Sequence, residues 1–462
     1  MEETKIIYED YINDLLNFTK KPTKDEIDKI LKKAAKKQGL SHKDIATLLQ
    51  VEDMEVLSQV FKIAGEIKRS IYGNRIVIFA PLYLSSYCVN NCQYCGYKHC
   101  NEMDRKKLNR EEIQEEVIQL EKMGHKRLAL EAGEDPINCD IDYIVDSIKA
   151  VYETYNVNGN IRRVNVNIAS TTVENYNKLK DAGIGTYILF QETYHKQTYE
   201  SMHLSGPKKS YDYHITAFNR AMEAGIDDVG AGVLFGLYDY KFEVLALMLH
   251  NEYLERNYGV GFHTISVPRL RMARGMDIND FPYLVNDDEF KKIVAILRLA
   301  VPFTGIILST RESHEMRKEV IEYGVSQISA GSCTGVGGYK ENDEKKDDAQ
   351  FEVADNRKPL EVLKELIEEG HIPSYCTACY RMGRTGDRFM SLAKSGEIQN
   401  VCHPNALMTL MEYALDYGDE EFKRVVDGII NKEAASINND NIRVRLLDNI
   451  ERIKMGERDL YF

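Results

Sequence analysis

An α/β fold, a (β/α)8 TIM barrel with helical N-terminal and C-terminal extensions, is what the sequence predicts, and three observations carry that expectation. Over residues 75–335, eight short β-rich runs alternate with amphipathic stretches, the arithmetic of eight βα units. Residues 1–74 read as helix throughout, and residues 336–462 read mainly as helix. At 462 residues the chain is long enough for one large barrel with additions at its ends. A doubly wound open sheet is the competing α/β arrangement.

The elements follow in chain order. Runs 8–19, 24–37, 42–49 and 54–72 place apolar side chains three and four residues apart, and Pro22 and Gly39 interrupt them where breaks are expected. Strand candidates then fall at 75–84, 127–132, 162–169, 185–191, 229–235, 263–270, 305–309 and 326–330. Helix-like stretches lie between them at 109–123, 141–155, 173–182, 211–224, 241–257, 287–300 and 314–323. Gly124, Gly183, Gly225 and Gly324 sit just past four of these, as helix-ending glycines do. The Gly-rich stretch 331–339 lacks a P-loop lysine and reads as a turn into the extension. The charged run 341–350 reads as a solvated linker. Helices are expected at 358–369, 388–395, 405–417 and 419–431.

Sixty Lys+Arg against 73 Asp+Glu give a net charge of −13, and no long basic run is present, so nucleic acid is not an expected partner. The chain starts with the polar MEETK and contains no window of about 18 uninterrupted apolar residues. A soluble, cytoplasmic protein with no membrane partner is expected. The nine cysteines are clustered rather than spread as a disulfide framework, a pattern that in a reducing compartment more often holds metal.

Cys88-x3-Cys92-x2-Cys95, within SSYCVNNCQYCGY, is the sharpest feature. Three thiolates this close can grip one face of a 4Fe–4S cube and leave its fourth iron open to chemistry. The loop follows the first strand and so lies at the C-terminal mouth, where barrel enzymes keep their active sites. Tyr94 offers an aromatic face beside it. A zinc knuckle completed by His99 or Cys100 is the alternative. With the aromatic residue before its last cysteine, this triplet resembles the signature of the radical S-adenosylmethionine (SAM) enzymes. The resemblance implies a radical-SAM-type barrel in which the open iron binds the amino and carboxylate groups of SAM. It also implies that Ala132, Gly133 and Glu134 correspond to the Gly-Gly-Glu segment that holds the SAM amine, although the first glycine is replaced here.

A second set, Cys376-x2-Cys379-x22-Cys402, has two other readings, a redox thiol pair or a zinc tetrahedron completed by His403. Beside the first motif, a second iron–sulfur cluster with an open iron is the better one. With CTACYRMGRTGDRFM, VPRLR (267–271) and LSTRE (308–312), it makes the sequence similar to the tyrosine lyases of FeFe-hydrogenase maturation over essentially the whole chain. The barrel alone is also similar to the thiazole-pathway lyase, 2-iminoacetate synthase, which lacks the C-terminal set. A non-catalytic iron–sulfur scaffold is the alternative of another class.

What this resemblance implies is a lyase that splits the Cα–Cβ bond of L-tyrosine. The products are p-cresol and dehydroglycine, which is converted to carbon monoxide and cyanide and assembled on iron for the H-cluster. The cofactors implied are two 4Fe–4S clusters and SAM. The partners are a reduced donor such as ferredoxin or flavodoxin and other hydrogenase maturation proteins. His263, in FHTISVPRL, would hold an additional iron at the auxiliary cluster, since it opens the sixth strand at the end opposite the mouth. By position, Arg311 is expected to bind the tyrosine carboxylate through two parallel hydrogen bonds. Gln191, Glu192, Ser309 and Thr310 are further substrate contacts, and Arg269 and Arg271 hold SAM or substrate charge. A strand of about seven residues spans roughly 23 Å, so the clusters need an internal channel, for which Val229 to Val233 and Ser329–Ala330 offer small residues. Cys100, Cys139 and Cys333 form no pattern.

Overall fold

The computed structural model describes residues 5–341 and 349–462, so most of the charged run 341–350 lies outside the described residues. Eight strands form the frame: β1 (Arg75–Ser85), β2 (Arg127–Ala132), β3 (Arg163–Asn167), β4 (Tyr187–Glu192), β5 (Val229–Val233), β6 (Thr264–Ser266), β7 (Gly305–Leu308) and β8 (Gln327–Ser329). Each pairs in parallel with the next, and β8 pairs back onto β1 through Val77↔Gln327 to Phe79↔Ser329, which closes the barrel. All eight coincide with the sequence-derived runs, and the open sheet is excluded. The sixth is shorter than expected, because Pro268 has no N–H to give to the ladder. Its carbonyl instead accepts from the Phe235 N–H at 2.9 Å.

The strands alternate in an unusual way. Their outward positions, including Leu82, Leu84, Leu128, Leu130, Val164, Val166, Ala231 and Ile265, are buried in the apolar layer beneath the surrounding helices. Arg127, Glu131, Arg163, Asn165, Asn167, Gly230, Gly232, Thr264, Ser266 and Ser329 occupy the opposite face. A barrel interior is ordinarily filled with Val, Ile and Leu. Here polar and small residues interrupt that filling, beside Phe79, Ile188, Phe190 and Ile307, and a cavity remains at the mouth.

The N-terminal helices are Glu9–Phe18, Lys24–Ala34, His42–Leu49 and Met54–Tyr72, and Thr23 and Ser41 close capping boxes at the second and third. The expected helix at 211–224 is divided at Thr216 into Tyr211–Ile215 and Ala217–Glu223. Past the barrel, three features depart from the sequence expectation. A ninth strand, β9 (Ile372–Ser374), pairs in parallel with the first residues of β1, at the barrel floor. The helix expected at 405–417 begins earlier, as Gln399–Tyr417, and carries Pro404 inside it. The helix Asp440–Lys454, capped by the Asn439 side chain, completes the chain's C-terminal part. Among the described residues no helix is long and apolar enough to cross a membrane.

Candidate active site and auxiliary cysteine site

The loop after β1 is held in shape by its own backbone and by one arginine. Arg105 donates to four carbonyls, Ser86 at 2.6 Å, Tyr97 at 2.7 Å, Lys98 at 2.7 Å and Asn101 at 3.3 Å. Val89 N–H donates to the Glu134 carbonyl at 2.8 Å, and Gln93 N–H to Met202 at 3.0 Å. Cys88, Cys92 and Cys95 thereby face a cavity of ≈ 200 Å³ in the barrel mouth. Burial pushes all three thiols up, Cys95 to about 11. They need a metal's positive charge to become thiolates. Among the described residues no three His, Cys, Asp or Glu side chains converge on a single ion, as a zinc knuckle would require. His99 and Cys100 are exposed. Three thiols in front of open space fit a cluster with a free corner.

Gly133 lies against this loop so closely that a Cβ would sit 2.3 Å from the Tyr87 carbonyl oxygen, so glycine is required. Beside it Glu134, pushed up by burial, accepts a hydrogen bond from Asn90 Nδ2 at 2.6 Å. Ala132 and Tyr94 also line the cavity, and the Tyr94 hydroxyl is bonded to His203 Nε2 at 2.7 Å.

At the end of β4 a register shift brings Glu192 into the mouth with φ = +68°, a conformation a non-glycine residue adopts only when its surroundings impose it. Its carboxylate meets Lys208 Nζ at 2.7 Å. Burial disfavours the Lys208 charge, but Glu192 and Cys92 outweigh it and hold this amine above the usual lysine range. Ser309, Thr310 and Arg311 line the opposite wall. The Arg311 guanidinium stacks 3.3 Å from the Phe351 ring centroid and has no ion-pair or hydrogen-bond partner among the described residues. Burial lowers its pKa, opposed by Tyr83, Glu192, Cys95 and Glu131.

Three expected contacts are elsewhere. Arg269 and Arg271 do not line the cavity. Both are bound to Glu312, at 3.0 Å from Arg269 Nε and 2.9 Å from Arg271 Nη2, and Arg269 also reaches Asp287 at 2.8 Å. In this structure both guanidinium groups turn to Glu312 and not to the cavity. Gln191 alternates with Phe190 and Glu192 and so turns away from the cavity. It is buried, with Nε2 3.5 Å from the Thr193 carbonyl.

Conversely, Glu131, Asn167, Lys208, Gln350 and Phe351 line the site without having been singled out. Glu131 and Asn167 were legible in principle, as polar residues near the mouthward ends of strand runs, in register with the inward face. Gln350 was not. It comes from the C-terminal part, accepts from the Tyr83 hydroxyl at 2.9 Å and lies 3.9 Å from Cys95 Sγ.

At the opposite pole, Cys376 follows β9, Cys379 lies in the short helix Ala378–Arg381, and Cys402 lies in the first turn of Gln399–Tyr417. The Cys402 thiol is pulled down to about 6, chiefly by a hydrogen bond from Cys379 and then by the guanidinium groups of Arg75, Arg384 and Arg127, against the opposing effect of burial. Arg127 also donates to the Cys376 carbonyl at 3.1 Å. Tyr380 stacks on Arg163 at 4.1 Å, and its hydroxyl lies 3.1 Å from Thr186 Oγ1. Thiols surrounded by guanidinium groups suit an anionic iron–sulfur cluster.

His403 points elsewhere. It pairs with Glu433 at 3.3 Å, and burial lowers it to about 4. His263 stands just before β6, on this floor. Its ring packs 4.5 Å from that of Phe389, and its Nδ1 lies 3.8 Å from Asp228 Oδ2.

With this geometry in hand, the likenesses to known proteins are specific. The pattern of the Radical SAM superfamily matches residues 82–249, and that of the Biotin and Thiamin Synthesis associated domain matches residues 266–372. The 2-iminoacetate synthase of Escherichia coli is 30% identical over 360 residues, covering 78% of this chain and 93% of that protein. A crystal structure of HydG, described as a maturase of the [FeFe]-hydrogenase, is 60% identical with a TM-score of 0.96, covering 99% of this chain and 100% of that one. The FeFe-hydrogenase maturase HydG from Carboxydothermus hydrogenoformans is 38% identical with a TM-score of 0.83, covering 96% and 98%.

Proposed function

The chain belongs to the radical SAM superfamily, and on that premise we propose that it is a lyase of FeFe-hydrogenase maturation that splits the Cα–Cβ bond of L-tyrosine. The products are p-cresol and dehydroglycine, and the latter yields carbon monoxide and cyanide that are assembled on iron for the H-cluster. One observation carries the reading: two three-cysteine sets at opposite ends of one barrel, in a chain that matches HydG structures from end to end. The family implies SAM and a 4Fe–4S cluster, and Cys88, Cys92 and Cys95 would hold that cluster. Cys376, Cys379 and Cys402 would hold a second one, with His263 as ligand to an additional iron. When bound, the first cluster and SAM supply a 5′-deoxyadenosyl radical.

The protein's own residues bind and orient around that chemistry. Gly133 and Glu134 line the place beside the cysteine loop where the SAM amine would lie, with Tyr94 as an aromatic wall. Arg311, with an unspent guanidinium stacked on Phe351, would take the tyrosine carboxylate. Glu192, Ser309 and Thr310 would complete the substrate pocket. Gln350 and Phe351 cover it and keep out water. A reduced ferredoxin or flavodoxin would supply the electron, and other maturation proteins would receive the product.

Anaerobic reconstitution with iron, sulfide, SAM, reductant and tyrosine should give p-cresol together with carbon monoxide and cyanide. In the double variant Cys376→Ala/Cys379→Ala, p-cresol should persist while iron-bound carbon monoxide is lost. Glyoxylate without either diatomic would mean a 2-iminoacetate synthase instead, and failure to cleave SAM after reduction would mean a non-catalytic scaffold.

A further inference from the structure

We propose that Glu131 is the base that takes a proton from the substrate's α-ammonium group, leaving the neutral amine from which a hydrogen atom can be abstracted. The inference rests on the tyrosine-lyase reading and adds a catalytic residue to it. In this step an N–H bond breaks with its electron pair staying on nitrogen, and an O–H bond forms on the carboxylate. No electron changes hands. The step is needed because abstraction from an ammonium N–H would leave a charged aminium radical, far costlier than abstraction from a neutral amine.

Several observations single out Glu131. It points inward from β2 and lines the same cavity as Arg311 and the three cysteines. Asn167 Nδ2 donates to its Oε2 at 2.7 Å, and Oε1 has no partner among the described residues. Of the other carboxylates lining the cavity, Glu192 is ion-paired with Lys208, and Glu134, bonded to Asn90, lies beside the cysteine loop where the SAM amine would sit. The two phenols nearest it are spent, Tyr83 on Gln350 and Tyr97 on the Thr334 carbonyl, and the serine and threonine hydroxyls of the lining are far too weakly basic to take a proton from an ammonium group. Arg311 and Glu131 together offer a guanidinium and a carboxyl in one cavity, the complement of an amino acid's carboxylate and ammonium. A buried charge without a partner is expensive, so the pairing with a ligand accounts for both. Burial pushes the Glu131 carboxyl up to about 8, against the pull of Arg311 and Asn167. The carboxyl is thereby a much stronger base than an ordinary glutamate and so better matched to an ammonium proton.

The test is calorimetric binding of tyrosine to cluster-reconstituted enzyme without SAM or reductant, in buffers of different ionisation enthalpy. Near neutral pH the free carboxyl is protonated and tyrosine brings its own ammonium proton. Wild type should therefore release close to one proton on binding, and less as the pH rises through 8. Glu131→Gln should still bind tyrosine but release none, and its p-cresol rate should fall by about 100-fold or more. Glu131→Asp should retain the proton release and recover part of the rate, which a purely structural role would not allow. Wild-type proton release and p-cresol formation in Glu131→Gln would overturn the assignment while leaving the lyase reading intact. Absence of tyrosine binding and of p-cresol in the wild type would overturn both.

Discussion

Arg311 illustrates what one side chain can decide. Its guanidinium is pinned by the Phe351 ring rather than by a carboxylate, so it is oriented yet still free to bind. Lysine would keep the charge but lose the planar fork and the stacking. Arg311→Lys should therefore raise KM for tyrosine by about 10- to 100-fold, from the loss of about 1.5–3 kcal/mol of charged hydrogen bonding, with kcat changed much less. Steady-state p-cresol assays check this, and an unchanged KM would place the carboxylate elsewhere. Arg311 was legible from its place just past a barrel strand. Arg269 and Arg271 had the same positional argument and are instead locked on Glu312. A sequence displays the charge of an arginine but not the carboxylate that has already claimed it.

The proposed function requires the two poles to communicate past the inward faces of the strands. β5 contributes Gly230 and Gly232 to the inward face of the barrel, where the internal channel expected from the sequence would pass. Ala231, one of the small residues of that strand, packs outward with the helices. A Cβ at Gly230 would come within 2.5 Å of Thr264 Oγ1 and meet Ile188 and Thr186. Gly230→Val should therefore leave p-cresol formation largely intact and cut iron-bound carbon monoxide. Equal loss of both products in a folded, cluster-loaded variant would argue against transit through that channel. At the floor, Asp228 is 2% exposed, and neither of its carboxylate oxygens has a hydrogen-bond partner among the described residues. It lies 3.8 Å from His263 Nδ1, the nearest acidic group to that ring, and in the proposed iron site it would be the residue to orient the ring once the two draw together. If His263 holds the additional iron proposed above, Asp228→Asn, nearly isosteric, should keep p-cresol but weaken binding of that iron about 10- to 100-fold. Iron titration followed by Mössbauer spectroscopy reads this out, and an undiminished affinity would deny Asp228 the role. Of these elements the eight strands and the cysteine spacings were readable from local pattern. β9 was not, since three residues including Pro373 carry no periodicity and pair only because the folded barrel offers β1 as a template. The early start of Gln399–Tyr417 was hidden by Pro404.

For the molecule as a whole, the barrel is wrapped at both poles by its extensions, and stability depends on how they dock. The C-terminal part reaches both sites, Gln350 at the mouth and the second cysteine set at the floor. On the N-terminal side the helix Met54–Tyr72 sends Lys68 into the interface, where its Nζ donates to the Ile321 carbonyl. Burial lowers this amine to about 7. Glu322 opposes the shift, while Arg298 and Arg69 reinforce it. The linkage has a definite sign. Below the ordinary lysine pKa the unfolded chain carries the proton, and folding must desolvate or discharge it. The resulting penalty is full below about pH 7, shrinks as pH rises, and vanishes above about pH 10. Lys68→Met removes the penalty but leaves the Ile321 carbonyl unpaired, a loss of about 1–3 kcal/mol. The variant should be the more stable protein near neutral pH, by roughly 1–3 kcal/mol once one opposes the other. That advantage should disappear or reverse as pH approaches 10. Anaerobic denaturant titrations of both proteins at several pH values check this. A stability difference that stays constant between pH 7 and 10 would show that the Lys68 amine does not titrate across that interval.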